Sequence, residues 1–340
     1  MFDNVTKNYT LKTSFLKQLF GEKNVVSAVN KVSFDIKQGE IIGLVGESGC
    51  GKTTLGKMVM KIEDITEGNI LINNEGISKL NKKNRKKFRK NVQMIFQDPF
   101  DSLNPKMTIY DIVAEPLRSL GLMENEKEVK REVLDILQQV NLSPAEQYLS
   151  RHPHRLSGGQ RQRVAIARAL IVDPDFIVAD EPVSMLDVSI RAGILNLLKR
   201  INKEKGVSIL FITHDLATAR FLCDRITVMY LGEIKEILPA RKLINNNLHP
   251  YTKLLLSSVP DLFEPKKNRL KLKGEATSAV VPPKGCRFAP RCPFAENRCT
   301  EEEQILESYE EDHMVACWKA EKIKEGTNLN EEEKYWLNYN

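Results

Sequence analysis

The sequence predicts an α/β fold: a parallel-sheet core built around a phosphate-binding loop, interrupted by a helical insertion and followed by a small cysteine-rich C-terminal module. Three observations carry this. The apolar strand Ile41 to Val45 runs into the glycine-rich stretch Gly46-Glu47-Ser48-Gly49-Cys50-Gly51-Lys52-Thr53, which opens a helix. A second apolar run, Phe176 to Ala179, ends at the acidic pair Asp180-Glu181 and has the character of a central strand covered on both faces. Between them, Val129, Val133, Leu134, Leu137 and Val140 recur at helical spacing within residues 108–149.

The elements follow in order. Val32 to Asp35 reads as a short strand, Gly39 as a turn, and Thr53 to about Ile62 as the helix after the glycine loop. Asn69 to Ile72 and Val92 to Phe96 are further strands, bounded by polar turns. After the helical insertion come a helix ending at Asp173-Pro174, the Phe176 strand, and another strand over Ser208 to Thr213. Ile226 to Tyr230 and Glu233 to Leu238 form a hairpin closing at Gly232. Beyond Leu238 the composition changes, with His249-Pro250, Pro260, Glu264-Pro265, Pro282-Pro283 and four clustered cysteines. The division expected is 1–240 for the core, with the helical part at about 98–165, and 241–340 for the extension, where Thr300 to Asp312 is an acidic surface helix. Cys223 is a buried core thiol.

With 340 residues, 41% of them hydrophobic and 28% charged, the chain is long enough for one large cored domain and has the balance of a soluble protein. No apolar run reaches the roughly 20 residues that span a bilayer, so any membrane role comes through partners. The start, Met1-Phe2-Asp3-Asn4, lacks the basic and apolar regions of a secretion signal. A net charge of +6 could suit nucleic acid or an anionic membrane surface, and Lys79 to Lys90 carries much of it. That run has Phe88 as its single aromatic, so it reads as a solvated helix and no nucleic-acid partner is expected.

The glycine loop has the context that turns a pattern into a site. Gly46, Gly49 and Gly51 let the backbone curl so that the loop's N–H groups, those of Ser48 and Cys50 among them, face phosphate oxygens, and the following helix N-terminus adds its dipole. Lys52 is expected to reach the β- and γ-phosphates of ATP, with Thr53 ligating Mg²⁺ and Thr54 beside it also an ATP-binding residue. Asp180 is placed to hold Mg²⁺, since a hard cation on phosphates prefers carboxylate and water oxygens. Glu181 points elsewhere and can activate the attacking water. Leu156-Ser157-Gly158-Gly159-Gln160 starts a helix with Ser157 as its N-cap, making an anion site.

This LSGGQ stretch, lying between the glycine loop and the acidic strand end, resembles the signature of ATP-binding-cassette (ABC) ATPases. The resemblance implies a RecA-like core, an antiparallel β subdomain and a helical subdomain. It implies ATP hydrolysis by a dimer in which Ser157, Gly159 and Gln160 cover the ATP of the other subunit. It further assigns Gln97 to the loop that contacts Mg²⁺ and the water, His214 to the γ-phosphate switch, and Asp187 to the D-loop through which the two cassettes meet, where Met185 replaces the usual alanine. Tyr9 takes the place of the adenine-stacking aromatic, with Phe15 nearby and a plain core role open to either.

Gln93 to Phe100 with Ser102-Leu103-Asn104-Pro105, then His249-Pro250-Tyr251-Thr252 and Gly285 to Pro293, resemble the oligopeptide/dipeptide/nickel importer ATPases, nearest the second ATPase of a peptide system. This implies a peripheral ATPase on the cytoplasmic face of the membrane. Its implied partners are a homologous ATPase or a second copy, two transmembrane permeases and, indirectly, an extracellular solute-binding protein. Nickel or another small solute is the alternative cargo, and a non-transport clamp on DNA or ribosomes the alternative class; a single cassette without heptads argues against the clamp.

Cys286, Cys292, Cys299 and Cys317 are separated by five, six and seventeen residues. Such a group in a reducing compartment points to metal rather than disulfides, and the gaps lack the close pairs of structural zinc. Similar tails in the importer subfamily hold a [4Fe-4S] cluster, which four thiolates suit, with zinc as the alternative. Arg287, Arg291 and Arg298 then offset cluster charge, or else pair with Glu301 to Glu303. Cys292→Ser is expected to disorder the tail and impair assembly while leaving ATP binding at Lys52 largely intact.

Overall fold

The computed structural model describes residues 1–10, 25–258, 284–327 and 330–337. Phe15, Pro260, Glu264-Pro265 and Pro282-Pro283 lie outside the described residues. The strands are β1 (Phe2–Thr10), β2 (Val25–Phe34), β3 (Ile41–Val45), β4 (Glu67–Ile72), β5 (Glu75–Gly76), β6 (Val92–Ile95), β7 (Phe176–Asp180), β8 (Ser208–Thr213), β9 (Arg225–Tyr230), β10 (Glu233–Pro239), β11 (Glu307–Glu310) and β12 (His313–Val315). They fall into two compact units, one of Met1–Asp35, Ile42–Ser78 and Thr213–Asn340, the other of Ile36–Ile41 and Lys79–Ile212.

In the first unit, β2, β1, β4 and β5 form an antiparallel sheet in that order. β2 is longer than the predicted Val32 to Asp35 because β1 pairs with it throughout, from Phe2 opposite Phe34 to Thr10 opposite Val25. A second run places β11, β12, β10, β9 and β3 side by side, with β3 parallel to β9 and the others antiparallel. The β9–β10 hairpin matches the sequence reading. It turns on Leu231 and Gly232, whose φ angles of 43° and 87° are the left-handed pair that a two-residue hairpin turn requires.

The described C-terminal residues build onto this same unit. β12 adds to the edge of β10, with Glu236 opposite Val315. The buried Glu236 carboxylate fastens the join, accepting from the Leu248 N–H (2.7 Å), the His249 N–H (3.2 Å), the Thr252 hydroxyl and His313 Nε2 (2.8 Å). A buried carboxylate is tolerable where its lone pairs are filled in this way. The acidic stretch departs from the expected helix: only Asn297–Glu301 is helical, and Glu307–Glu310 becomes β11. Glu301 to Glu303 offer no apolar face to bury a helix, whereas β12 offers backbone partners.

In the second unit, β8, β7 and β6 run parallel, with Phe176 opposite both Val92 and Ser208. All six residues of β8 are buried, as a strand covered on both faces should be. The helical part holds Ile109–Ser119, capped by Thr108, and Glu126–Gln139, capped by Asn125. Ile109, Val113, Val129, Val133 and Leu137 are all 0% exposed, each side chain contributing about 1.5–3 kcal/mol by burial. Lys82–Asn91 is the expected basic helix, and Arg85 to Lys87 on it are exposed.

Candidate nucleotide-binding site

The glycine loop leaves β3 and closes into the helix Lys52–Val59. A Cβ on Gly46 would stand 2.1 Å from the Met229 carbonyl oxygen, and one on Gly51, at φ 105°, 2.2 Å from that of Ala28. Only glycine allows this approach of backbone to backbone. The Lys52 ammonium is buried and donates to the carbonyls of Gly46 (2.8 Å) and Glu47 (2.9 Å), so its charge is held inside the loop's own curl. Cys50 is buried beneath it, and burial raises its thiol pKa despite the Lys52 charge. Ser48, Gly49 and Thr53 stand at the solvent-facing rim and Thr54 is half-buried.

In the same unit, His214 is exposed directly after β8. Its neighbour Asp215 caps the next helix, Leu216–Leu222. Tyr9 lies half-buried in β1 with the Lys7 ammonium 4.8 Å from its ring centre.

The second unit brings other predicted residues together. Asp180 is 3% exposed at the end of β7. Glu181 follows in the left-handed region at φ 44°, held by its N–H donating to the Ile212 carbonyl (2.9 Å). A non-glycine residue there is strained and turns its side chain away from the strand's alternation, so the consecutive acids face different ways. The Gln97 amide donates to the Glu181 carboxylate across 3.2 Å. Ser157 caps the Gly158–Leu170 helix in a full capping box: its hydroxyl accepts from the Gln160 N–H (3.3 Å) and Gln160 Oε1 accepts from the Ser157 N–H (3.0 Å). Gly159 is buried in the first turn of that helix. Asp187 precedes the helix Val188–Lys205 and is exposed. Beside it stand two large apolar side chains, Met185 at 61% and Val188 at 80% exposure. Val188 escaped sequence reasoning, since nothing in the pattern says that the first residue of that helix is uncovered.

In the tail, Cys286 and Cys299 are buried and the Cys286 N–H donates to the Cys299 carbonyl (2.7 Å). Burial pushes Cys292 well above the usual thiol range and Cys317 up to about 12, and the charges of the other cysteines push in the same direction. Among the described residues no group of three or more His, Cys, Asp or Glu side chains is set to hold a metal ion. Burial disfavours charge on Lys235, but the fields of Cys286 and Glu233 outweigh it and its pKa is raised.

The three tail arginines divide. Arg298 bonds Glu302 (3.0 Å) and lies over Trp318, as a surface pairing would have it. Arg287 and Arg291 turn the other way, Arg287 to Glu233 (2.9 Å) and Arg291 to Glu47 of the glycine loop (3.1 and 3.3 Å). Sequence reasoning missed Lys235, a buried cation that interacts electrostatically with Cys286 and pairs with Glu233. It also missed Tyr251, whose hydroxyl accepts from the Glu47 N–H (2.9 Å). Arg291 and Tyr251 both sit in stretches singled out above, but a contact across some 200 residues leaves no trace in spacing.

Residues 29–184 match the ABC transporter family model and residues 236–299 the oligopeptide/dipeptide transporter C-terminal region. The oligopeptide transport ATP-binding protein AppF of Bacillus subtilis is 45% identical over 318 residues, 92% of this chain and 95% of its own length. OppF of the same organism is 49% identical over 269 residues, 77% of this chain and 87% of its own. The dipeptide transport ATP-binding protein DppF of Haemophilus influenzae is 42% identical over 303 residues, 89% and 92% of the two chains. Among solved structures, a dimeric ATP-binding cassette in a post-hydrolysis state with ADP and Pi matches with a TM-score of 0.62 at 32% identity, over 71% of this chain and 98% of that one.

Proposed function

The chain belongs to the ABC transporter family, in the branch of oligopeptide and dipeptide transport ATP-binding proteins, and from that premise we propose that it is the ATP-hydrolysing subunit of a peptide importer. The observation that carries the reading is the pairing, in one chain, of a glycine loop closed around Lys52 and a glutamine-held Glu181 with the oligopeptide-type C-terminal region.

Lys52 turns from its loop carbonyls to the β- and γ-phosphates, with Thr53, Gln97 and Asp180 as the residues that hold Mg²⁺. Gly46, Ser48, Gly49, Cys50, Gly51 and Thr54 line the phosphates through the loop and helix start, and Tyr9 stacks on the adenine. Water attacks the γ-phosphorus, its proton passes to Glu181, and the bond to the bridging oxygen breaks to give ADP and phosphate. Gln97 and His214 keep Glu181 and the water aligned. Ser157, Gly159 and Gln160 cover the ATP of a second cassette, and Asp187 lies at that junction with the exposed Met185 and Val188 beside it. The partners are a homologous ATPase or a second copy, and two permeases fed by an external solute-binding protein. Among the described residues no helix is long and apolar enough to cross a membrane, which suits peripheral attachment to such permeases on the cytoplasmic face.

In functional terms 1–240 is the cassette, with its helical part at about 98–165, and 241–340 the extension. We read Cys286, Cys292, Cys299 and Cys317 as ligands of a [4Fe-4S] cluster, with zinc as the alternative. The donor chemistry supports this: burial raises the thiol pKa of Cys292, Cys299 and Cys317, so they are poor as bare thiolates and would be stabilised as such by bound metal. Bound there, such a cluster would bridge the loops that carry the four cysteines, in a structural or a regulatory role.

The test is reconstitution of the purified complex in proteoliposomes with peptide as cargo. ATP-driven peptide uptake that disappears when this chain is omitted supports the proposal. Uptake of nickel and not peptide, or full uptake without this chain, contradicts it.

A further inference from the structure

We propose that Arg291 is a positioning residue for the phosphate-binding loop, and that through it nucleotide affinity depends on the state of the C-terminal cysteine module. The proposal rests on the reading of Gly46 to Thr53 as the ATP loop. Its starting point is the fork that Arg291 presents to Glu47: Nη1 donates to Oε2 at 3.1 Å and Nη2 to Oε1 at 3.3 Å, while Nη1 also reaches the Tyr230 hydroxyl at 3.1 Å. Arg291 is 6% exposed, so this is a packed guanidinium rather than a surface arm. Two parallel bonds fix the carboxylate in orientation as well as in charge.

Glu47 is the second residue of the loop, and all three of its polar groups are engaged. Its side chain is held by Arg291, its N–H by the Tyr251 hydroxyl, and its carbonyl accepts from the Lys52 ammonium at 2.9 Å. Arg291 thus acts on the residue whose backbone touches the phosphate-binding lysine. A second line runs parallel. Arg287 donates to the carbonyls of Ser27 (3.3 Å) and Leu231, and the next residue, Gly232, donates its N–H to the carbonyl of Cys50 (2.8 Å). Phe288, fully buried between the two arginines, has its ring centre 5.3 Å from that of Tyr230 and 5.4 Å from that of Tyr251.

Arg287 follows Cys286 and Arg291 precedes Cys292. Arg291, which grips the loop, and Arg287, which holds the carbonyls of Ser27 and Leu231 behind it, are therefore both next to cysteines of the module, and a change of those thiols, by metal loss or oxidation, acts on these contacts within one peptide bond. Electrostatics gives the contact its direction. Glu47 places a carboxylate beside the seat of a polyanion, and the Arg291 fork neutralises it; without the fork a partly exposed negative charge is free to move toward the phosphates. Cys292→Ser, which the sequence alone suggests would leave ATP binding largely intact, is on this geometry expected to weaken it.

Isothermal titration of ATP into the full chain tests this with Arg291→Met, Glu47→Gln, the double variant, Arg291→Lys and Cys292→Ser, each assayed well below its own unfolding midpoint. Arg291→Met is expected to weaken ATP binding about tenfold, the scale of hydrogen bonds to a charged group. In the Glu47→Gln background the same change should cost less than about twofold, because no bare carboxylate is left. Arg291→Lys, which keeps charge but loses the fork, should be weakened by roughly threefold, a second reading if the methionine variant does not fold. Cys292→Ser should match the loss seen in Arg291→Met. A fall in melting temperature with unchanged ATP affinity, or an equal cost of Arg291→Met in both backgrounds, overturns the proposal and leaves the ATP site standing. A wild-type chain that binds no ATP overturns the loop assignment and the proposal together.

Discussion

The side-chain amide of Gln97 donates to the carboxylate of Glu181 across 3.2 Å, joining the loop after β6 to the acidic end of β7. The bond fixes the orientation of a carboxylate already turned aside by a left-handed backbone. Gln97→Ala removes the amide and leaves the glycine loop untouched. It should lower the steady-state ATPase rate of the assembled transporter by roughly tenfold or more while ATP affinity changes little, since a mispositioned base costs part of the roughly 10²–10⁴-fold that general-base catalysis supplies. A rate within twofold of wild type would show that Gln97 does not hold the base.

Ser157→Arg tests the assignment across the dimer. Its hydroxyl caps its own helix, so some helix stability is lost, about 1 kcal/mol for such a cap. The larger effect is to put a long cation where the ATP of the other cassette is covered. ATP binding to the isolated chain should persist in titration, whereas the ATP-trapped dimer formed by the Glu181→Gln protein should no longer appear in size-exclusion chromatography. Loss of ATP binding by the isolated chain would place this loop in its own cassette's site.

His249 makes stability depend on acid. Its Nδ1 accepts from the Tyr251 N–H (3.0 Å) at the start of helix Pro250–Ser257, a role that requires an unprotonated nitrogen. Burial, and after it the charge of Lys235, hold its pKa well below the usual histidine range. The unfolded chain takes up a proton near pH 6.5 and the folded chain does not, so stability is full above that pH and falls as pH drops through it. Melting temperature measured from pH 7.5 to 5 should decline more steeply in wild type than in His249→Asn, whose side chain can still cap. Parallel profiles would remove His249 as the cause.

The tail cysteines are tested by metal content. Protein purified anaerobically with iron supplied should be brown, absorb broadly near about 400 nm and hold about four irons per chain. Lys235→Met should weaken retention of that iron, because a buried cation interacting with Cys286 is lost. One equivalent of zinc and no iron would overturn the cluster.

Much of the cassette is legible in the chain. β3 and β8 fall on the predicted residues, and the β9–β10 hairpin turns at the expected Gly232, because continuous apolar runs bounded by turn residues are local signals. The capping box at Ser157 is equally local. What escapes is non-local. β2 is long because β1 pairs with it, and β11 forms because β12 offers an edge. The left-handed turn at Glu181 needs the Ile212 carbonyl beside it, which no spacing announces. Sequence proximity makes Arg291 a counter-charge for its neighbouring cysteines, yet its partner is Glu47, 244 residues away.

The central claim is that this chain hydrolyses ATP with Glu181 as the base and Lys52 as the phosphate ligand. The most direct measurement is ATP binding and single-turnover hydrolysis by wild type, Glu181→Gln and Lys52→Ala in the assembled transporter. The expected result is that Glu181→Gln binds Mg-ATP as wild type does and hydrolyses it slower by on the order of 10²-fold or more, while Lys52→Ala loses binding as well. Near-normal hydrolysis by Glu181→Gln would contradict the account.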